Sequence, residues 1–321
     1  MDQRDILAKP TYLLAEFLRS AHALPLRLRV LTMLTYSLDV LYIQQLPGLL
    51  QEATRNSEAA ARVRAVAAAT MQMLNDANEV FRHEIAPVLA DLGLRMAPAE
   101  GWTPRQRAWI GNLFVHQVRP LLTPLAVDAG RPFPQISAHS LNLLAVVQPP
   151  NNFDVDMPSF ARLKVPRWVP RLIELPHLDE PPVGANGHHP LRTFVLSEDM
   201  VRLHVDAIFP GIPVTGVYQF RILRGSVQEN GAVASRHAAL ARQKAWPVVR
   251  IDVENDMPAW VLRWLQENME AQDAVVLRRP PPLGLGTLAS EWADRVTLLQ
   301  SDQRKTSSPA AQFDRPALPV P

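Results

Sequence analysis

Residues 120–147 read PLLTPLAVDAGRPFPQISAHSLNLLAVV, a segment in which four prolines interrupt an otherwise apolar run. Proline has a fixed φ and no N–H group, so Pro120, Pro124, Pro132 and Pro134 favour an extended chain that does not join a sheet. The run that follows, LNLLAVV, has the length and the branched apolar side chains of a buried strand. The segment therefore predicts a stiff connection between two structural units.

The sequence before this segment is typical of helices. Between Gly48 and Gly93 there is no glycine, and apolar residues recur at spacings of three, four and seven. Ser57 is predicted to cap a long helix, which Pro87 kinks and Gly93 ends. Residues 1–102 are therefore predicted to form an all-helical bundle.

The sequence after residue 102 mixes strands and helices. Thr103, Pro104 and Gln106 form a capping-box signature. The strand-like runs are LNLLAVV, ARLKV, RLIEL, YQFRIL and PVVRIDV, and the helical runs are SEDMVRLHVDAIF, VASRHAALARQK and AWVLRWLQENME. Residues 103–297 are predicted to be an α+β domain with a mixed or antiparallel sheet, and residues 298–321 a disordered, linker-like tail.

Composition limits the function classes. The 321 residues contain no cysteine, which excludes disulfides and cysteine nucleophiles. The sequence has neither an apolar run of membrane-spanning length nor a signal-peptide core, so no membrane partner and a cytoplasmic location are expected. The net charge of +2 does not favour nucleic acid as a partner. Arginine far outnumbers lysine, which suits phosphate binding, but its even spread favours a bias of genome composition instead.

The sequence contains neither a glycine-rich phosphate loop nor a tight metal-binding motif. LGLGTL, around Gly284 and Gly286, resembles only part of such a loop, and a turn is the favoured interpretation. No catalytic residue is therefore predicted from the residues alone.

Acidic residues and histidines give no stronger signal. Asp252, Glu254 and Asp256 alternate along IDVENDMP and could bind a cation, but the favoured alternative is a turn in which Asn255 or Asp256 caps the next helix. His116 and His139 each stand alone, which favours packed or hydrogen-bonded positions. His188 and His189 are adjacent and could bind a transition metal, but a solvated loop is the favoured interpretation. No metal ligand is predicted.

The opening segment closely resembles the start of the middle, or head, domain of the long-form polyphosphate kinases, which typically read P-V-L-T-P-L-A-V-D-x-x-x-P-F-P-x-I-S-x-x-S-L-N-L. Further similar segments follow in the family's order: FARLKVPRWVPRLIELP, FVLSEDMVRLHVDAIFPG, VRIDVENDMP, PPLGLGTL and the linker-like FDRPALPVP. Upstream, ALPLRLRVLTMLTYSLDVLY resembles an eroded copy of the family's P-L-x-E-R-x-x-F-L-x-x-x-S-x-N-L-D-E-F segment. The resemblance implies the N-terminal and head domains, without the C-terminal catalytic domains.

The family transfers the terminal phosphate of ATP reversibly to polyphosphate, with Mg²⁺ and a phosphohistidine. The resemblance places the nucleophilic histidine and the metal ligands in domains beyond the head, and no K-T-H-A-K segment occurs in these residues. A protein without catalysis or a cofactor of its own is therefore expected, although the family implies ATP and Mg²⁺.

The resemblance points to one site residue, Ser37, which stands where the family has a nucleotide-binding asparagine. Serine offers fewer hydrogen-bonding groups, so weaker nucleotide recognition is expected. Asp39 is retained, although an exposed acidic residue of the helix is an equal alternative, and Val40 replaces a glutamate. Two hypotheses follow. In the first, the chain is a scaffold that binds polyphosphate or nucleotide, or that pairs through its head with itself or with a full-length kinase. In the second, it is the non-catalytic half of a split kinase.

Overall fold

The computed structural model describes residues 3–19, 22–127, 133, 135–148, 159–166, 168–176, 191–225 and 246–306. The first of these ranges are helical, as the apolar spacing predicted. The helices are α1 (Gln3–Leu18), α2 (Leu24–Val40), α3 (Leu46–Ala53), α4 (Ser57–Val80) and α5 (Ala86–Asp91).

Two wide helical turns keep these helices nearly continuous. The π-helical turns Leu41–Gln45 and Phe81–Ile85 connect α2 to α3 and α4 to α5, and each ends shortly before a proline. Proline clashes with the carbonyl of a preceding turn, and a wider turn relieves that clash. The irregularity predicted at Pro87 is thus spread over the turn before it.

The predicted start of the long helical segment is wrong by one residue, whereas its predicted end agrees with the structure. Asn56, not Ser57, is the N-cap of α4, and its side chain accepts a hydrogen bond from the Glu58 N–H at 2.9 Å. Asn56 has the extended backbone that a cap requires, which leaves Ser57 as the first helical residue. Gly93, with φ of +79°, follows α5 as predicted.

The remaining described elements alternate as the sequence predicted. The Thr103–Gln106 capping box opens α6 (Pro104–Leu113), and VASRHAALARQK lies outside the described residues. The other helices are α7 (Ser197–Leu203), α8 (Val205–Ile208), α9 (Ala259–Asn268) and α10 (Leu285–Thr306). The strands are β1 (Leu94–Met96), β2 (Leu125–Val127), β3 (Leu141–Val147), β4 (Ser159–Lys164), β5 (Leu172–Leu175), β6 (Arg192–Leu196), β7 (Val214–Arg224), β8 (Val248–Glu254) and β9 (Val275–Arg279).

The strands form two mixed sheets, which confirms the predicted α+β class. The larger sheet has the order β2-β4-β3-β7-β8-β9, antiparallel except for the parallel pair β8–β9. The smaller sheet has the order β1-β6-β5, and β1 is parallel to β6. Strand β1 lies within 1–102, where the sequence pattern had predicted only helices; its three residues are too few to show a strand period.

The proline-rich segment joins the larger sheet briefly, contrary to the prediction. Leu125–Val127 pairs antiparallel with β4 as the edge strand β2. Pro124 stands just before these residues and therefore removes no hydrogen bond from the pairing. Pro120 lies in a 3₁₀ turn, and Pro132 and Pro134 lie outside the described residues.

Helix α10 returns to the N-terminal helices and packs along α2. One hydrophobic core therefore combines residues of α1, α2 and α4 with strands of both sheets and with Trp292 of α10, which is 1% exposed. The helix continues to Thr306, into the segment predicted to be a tail, and residues 307–321 lie outside the described ranges. Within those ranges, none of the helices has the length and apolarity needed to span a bilayer.

Candidate functional site

Strand β8 carries a row of charged residues on one face. Arg250, Asp252 and Glu254 alternate with Ile251 and Val253, because successive side chains of a strand point to opposite faces. Ile251 and Val253 belong to the apolar core beside α9. All three charged side chains are buried, at 1 to 2% exposure. Charges at such depth require partners from neighbouring elements.

Arg250 is paired with two carboxylates. Its Nε and Nη2 donate to the two oxygens of Asp252, each at 2.8 Å, and Nη2 also donates to Asp39 Oδ1 at 3.1 Å. The guanidinium lies 4.8 Å from the centre of the Tyr42 ring. Burial alone would lower the pKa of Arg250, but the two carboxylates overcome that effect and raise it.

Asp39 connects helix α2 to the sheet. It accepts hydrogen bonds from Arg250 and from Arg221 of β7, and Arg221 also donates to Asp252 at 3.1 Å. Burial alone would raise the pKa of Asp39, yet the charges of Arg221 and Arg250 hold it well below its usual range. The buried position shows that Asp39 is not an exposed acidic residue of the helix, the alternative that its place in the sequence left open.

Asp39, Arg221, Arg250 and Asp252 form a buried charged cluster, and His139 lies at its outer edge. It occupies a turn with φ of +62°, and its Nδ1 lies 3.4 Å from Asp39 Oδ2 and 3.3 Å from Arg221 Nη2. Arginine can only donate, so Nδ1 accepts from Arg221 when it carries no hydrogen and donates to Asp39 when it does. The isolated histidine predicted to be hydrogen-bonded is therefore part of a charged network.

Arg279, the last residue of β9, has no such partner among the described residues. It is 3% exposed, and its Nη2 has no hydrogen-bond partner. Nη1 of Arg250 is also buried without a partner. Burial lowers the pKa of Arg279 to about 10, so the side chain remains charged at neutral pH. Glu254, the other carboxylate on β8, is paired with Arg202 instead.

The N-terminus of helix α10 closes the cluster. Gly284 precedes the helix with φ of +66°, which confirms the turn predicted for LGLGTL. Its carbonyl accepts a hydrogen bond from Arg171 at 2.7 Å, and Arg171 is itself paired with the fully buried Glu198 at 2.7 Å. A Cβ on Gly286 would lie 1.8 Å from Thr35 Oγ1, so glycine permits the close approach of α10 to α2.

Three cavities adjoin this arrangement. A small one of 40 Å³ lies inside, and two larger clefts of 430 Å³ and 310 Å³ lie outside. His139, Arg221 and Thr287 line both clefts. Because Arg221 also lines the inner cavity, the three spaces surround one guanidinium. The geometry suits phosphate-bearing ligands, which arginine and helix N-termini both attract.

The other predicted residues lie elsewhere. Ser37 is buried on α2, its hydroxyl donates to the Leu34 carbonyl at 2.8 Å, and it lines neither cleft; its nucleotide role stays a prediction. His116 is exposed and bonds the Asn112 carbonyl. His188 and His189 lie outside the described residues.

The acidic trio of IDVENDMP does not form a cation site. Asp252 and Glu254 are engaged by arginines, and Asp256 is exposed. Neither Asn255 nor Asp256 caps α9, whose N-cap is Pro258. Among the described residues, no group of three or more histidine or acidic side chains is placed to hold a metal ion.

Comparison with known proteins identifies the family. The family model described as the polyphosphate kinase middle domain matches residues 105–290, more than half of the chain. The chain belongs to the polyphosphate kinase family. It is 30% identical to the polyphosphate kinase of Parasynechococcus marenigrum over 245 residues, covering 74% of this chain and 33% of that protein. The corresponding match in Mycolicibacterium gilvum is 30% identical over 287 residues, covering 84% and 37%.

The fold agrees with that of a solved polyphosphate kinase. The crystal structure of the Porphyromonas gingivalis enzyme matches 98% of this chain and 42% of that chain, with a TM-score of 0.66 and 19% identity. The chain thus spans about a third of the length of the curated polyphosphate kinases it matches.

The segments that resemble polyphosphate kinases converge on the cluster. RLIELP supplies Arg171, SEDMVRL supplies Glu198, VRIDVENDMP supplies Arg250 and Asp252, and PPLGLGTL supplies the start of α10. The arginines were not predicted, because arginine occurs throughout the chain. The available signal was the alternation of Arg250, Asp252 and Glu254 inside a strand that is otherwise apolar.

Proposed function

We propose that these residues act as a binding scaffold for phosphate chains and nucleotides in a polyphosphate kinase system, without phosphate transfer of their own. The observation that carries the proposal is the pair of clefts that meet at Arg221, His139 and the N-terminus of α10. Helix N-termini and arginines favour phosphate oxygens over neutral ligands.

The proposed ligand enters at Thr287. This residue is exposed, lies in the first turn of α10 and lines both clefts. An acidic side chain in the first turn of a helix stabilises the helix, so Thr287→Asp should fold normally. The same charge would repel a polyanion in either cleft. The substitution therefore separates binding from folding.

The test is calorimetric titration of the purified chain with long-chain polyphosphate at two salt concentrations. We expect salt-sensitive binding, weakened about five- to tenfold by Thr287→Asp because like charges in a partly screened cleft repel by about 1 kcal/mol. Ser57→Asp, also an exposed first-turn position but on α4, is the matched control and should change affinity less than about twofold. Absence of binding, or equal effects of the two variants, would contradict the proposal.

Phosphate transfer and nucleotide contact are tested with the same protein. With ATP, Mg²⁺ and polyphosphate, the chain should form no phosphohistidine and add no phosphate to the polymer. Weak ATP binding near Ser37 is part of the proposal, and Ser37→Asn should raise the affinity for ATP without producing turnover. Turnover by the isolated chain would overturn the proposed division between binding and catalysis.

A second candidate role is the non-catalytic part of a two-chain kinase. The matches cover about a third of each curated relative, and this proposal assigns the remaining part to a second polypeptide. The test is to mix this chain with the remaining segment of the Parasynechococcus marenigrum protein, expressed separately. Polyphosphate synthesis by the mixture, and by neither part alone, would support this role over the scaffold.

Self-association through the head and a cytoplasmic location also belong to the proposal. Light scattering after gel filtration should give twice the mass of one chain, or a mixed species when a full-length polyphosphate kinase is added. A fluorescent fusion should distribute through the cytoplasm. A monomer under both conditions would remove the interaction role.

A further inference from the structure

The buried cluster has more positive than negative charge. Among the described residues, Arg221, Arg250 and Arg279 face two carboxylates, Asp39 and Asp252, which leaves one guanidinium without a counter-charge. An uncompensated buried charge costs several kcal/mol, and folded proteins avoid it by pairing. An anionic ligand would supply the missing counter-charge.

Two of these three arginines carry unpaired nitrogen atoms, and both line the same cavity. Arg250 and Arg279 both line the 40 Å³ space, are at least 97% buried and each have one guanidinium nitrogen without a partner. The first residues of α10, a 22-residue helix, also line the space, and the positive end of a helix dipole favours an anion there. Residues of both α2 and α10 line the space, and the two helices approach each other closely at Gly286 and Thr35.

The size and chemistry of the cavity suit a small oxyanion. A single water needs roughly 10–15 Å³ of room for its centre, so 40 Å³ holds a few waters or one tetrahedral anion. Asp39 also lines the space. A carboxylate repels an oxyanion unless the anion carries a proton that it can donate, as hydrogen phosphate does and sulfate does not at neutral pH.

We propose that this cavity is a binding site for one hydrogen phosphate group, held by Arg250, Arg279 and the N-terminus of α10 and hydrogen-bonded to Asp39. The group is either free inorganic phosphate or the end of a phosphate chain that enters past Arg221. The site shares Arg221 and Thr287 with the outer clefts, whereas Arg250 and Arg279 line the inner cavity and neither cleft. Its occupancy by inorganic phosphate does not require that the proposed polyphosphate binding be correct.

The first test is the melting temperature of the full chain with and without inorganic phosphate. We expect phosphate at about 100 times its dissociation constant to raise Tm by roughly 3 °C or more, and sulfate to raise it much less. Arg279→Met should abolish this rise while leaving Tm in phosphate-free buffer equal or higher, because it removes an unpaired buried charge. Arg263→Met, at an exposed position of α9, is the control and should keep the rise.

The second test is equilibrium dialysis of the wild type with labelled phosphate, which does not depend on a variant folding. One phosphate per chain is expected, and Arg279→Lys, which keeps the charge, should retain part of the affinity. Displacement by tripolyphosphate would assign the site to a chain end, and resistance to it would assign the site to the free ion. No bound phosphate, equal binding of sulfate, or an unchanged response in Arg279→Met would overturn the proposal.

Arg279→Met distinguishes this inference from the proposed function, because Arg279 lines the inner cavity and neither cleft, whereas Thr287 lines all three spaces. Loss of inorganic phosphate binding in Arg279→Met, with retained binding of long-chain polyphosphate, would support an inner site that binds independently of the clefts. Loss of both ligands in Arg279→Met would contradict that independence.

Discussion

The contact between α10 and α2 predicts that Gly286→Ala destabilises the protein. The added methyl group would lie 1.8 Å from Thr35 Oγ1 and 2.9 Å from Thr35 Cβ, both closer than unbonded atoms allow. Overpacking of this kind costs about 1–3 kcal/mol, whereas alanine gains about 0.5–1 kcal/mol over glycine within a helix. Because Thr35 Cβ also lies within 2.9 Å, rotation of the hydroxyl alone cannot remove the clash. We therefore expect the upper end of this cost and a net loss of about 2 kcal/mol.

A double-mutant cycle isolates this contact. Thr35→Ala removes the 1.8 Å clash but keeps Cβ, so it should restore about half of the loss in the Gly286→Ala background. Thr35→Ala alone removes a hydrogen bond to the Thr32 carbonyl and should cost about 0.5–1 kcal/mol. Unfolding in urea, followed by far-ultraviolet circular dichroism, measures all four proteins.

The coupling free energy between the two positions should be at least about 1 kcal/mol in favour of the double variant. Gly286→Ala within about 0.5 kcal/mol of the wild type would refute the close packing of the helices. Strictly additive effects of the two substitutions would refute the assignment of the clash to Thr35.

Two further predictions concern the start of α7. Burial, and then the charge of Glu198, raise the pKa of Asp199 to about 6, above its ordinary 3.8. The folded state therefore holds this proton more tightly, so the contribution of Asp199 to stability is present below about pH 4 and is lost as pH rises to about 6. Asp199→Asn should remove this dependence and raise the free energy of unfolding at pH 7 by about 1–2 kcal/mol; equal pH profiles between 4 and 7 would contradict it. Glu198→Ala leaves Arg171 buried without its carboxylate and should lower the free energy of unfolding in urea by about 3–5 kcal/mol. Glu198→Gln should cost clearly less, because an amide oxygen still accepts a hydrogen bond from Arg171. Equal costs for the two variants would show that the charge of Glu198 is unimportant.

Local patterns predicted most of the elements because their causes are local. The capping box at Thr103, the glycine after α5, the continuous apolar run of β3 and the alternation of β8 each depend on neighbours within a few residues. Strand β1 and the edge strand β2 were not predicted, since each is three residues long and is a strand only through its partner, β6 or β4. The predicted N-cap of α4 was wrong by one residue, because Asn56 and Ser57 are adjacent and both are good capping residues.

The candidate site was predicted only in part. Asp39, His139 and Asp252 were singled out from the sequence, but not as members of one cluster, because they lie on a helix, a turn and a strand far apart in the chain. The resemblance directed attention to Ser37, whose hydroxyl turns back to its own helix. Arg279 could not be recognised from sequence, because its significance depends on the absence of a partner among the described residues.

The packing of α10 on α2 also sets an order of events during synthesis. Helix α2 ends at Val40 and its partner begins at Leu285, about 245 residues later. At about 5–20 residues per second, a ribosome needs roughly 12 to 50 s to supply that partner. During this interval the nascent chain carries an α2 face that is covered only in the finished protein, so the helices made first reach their final packing last.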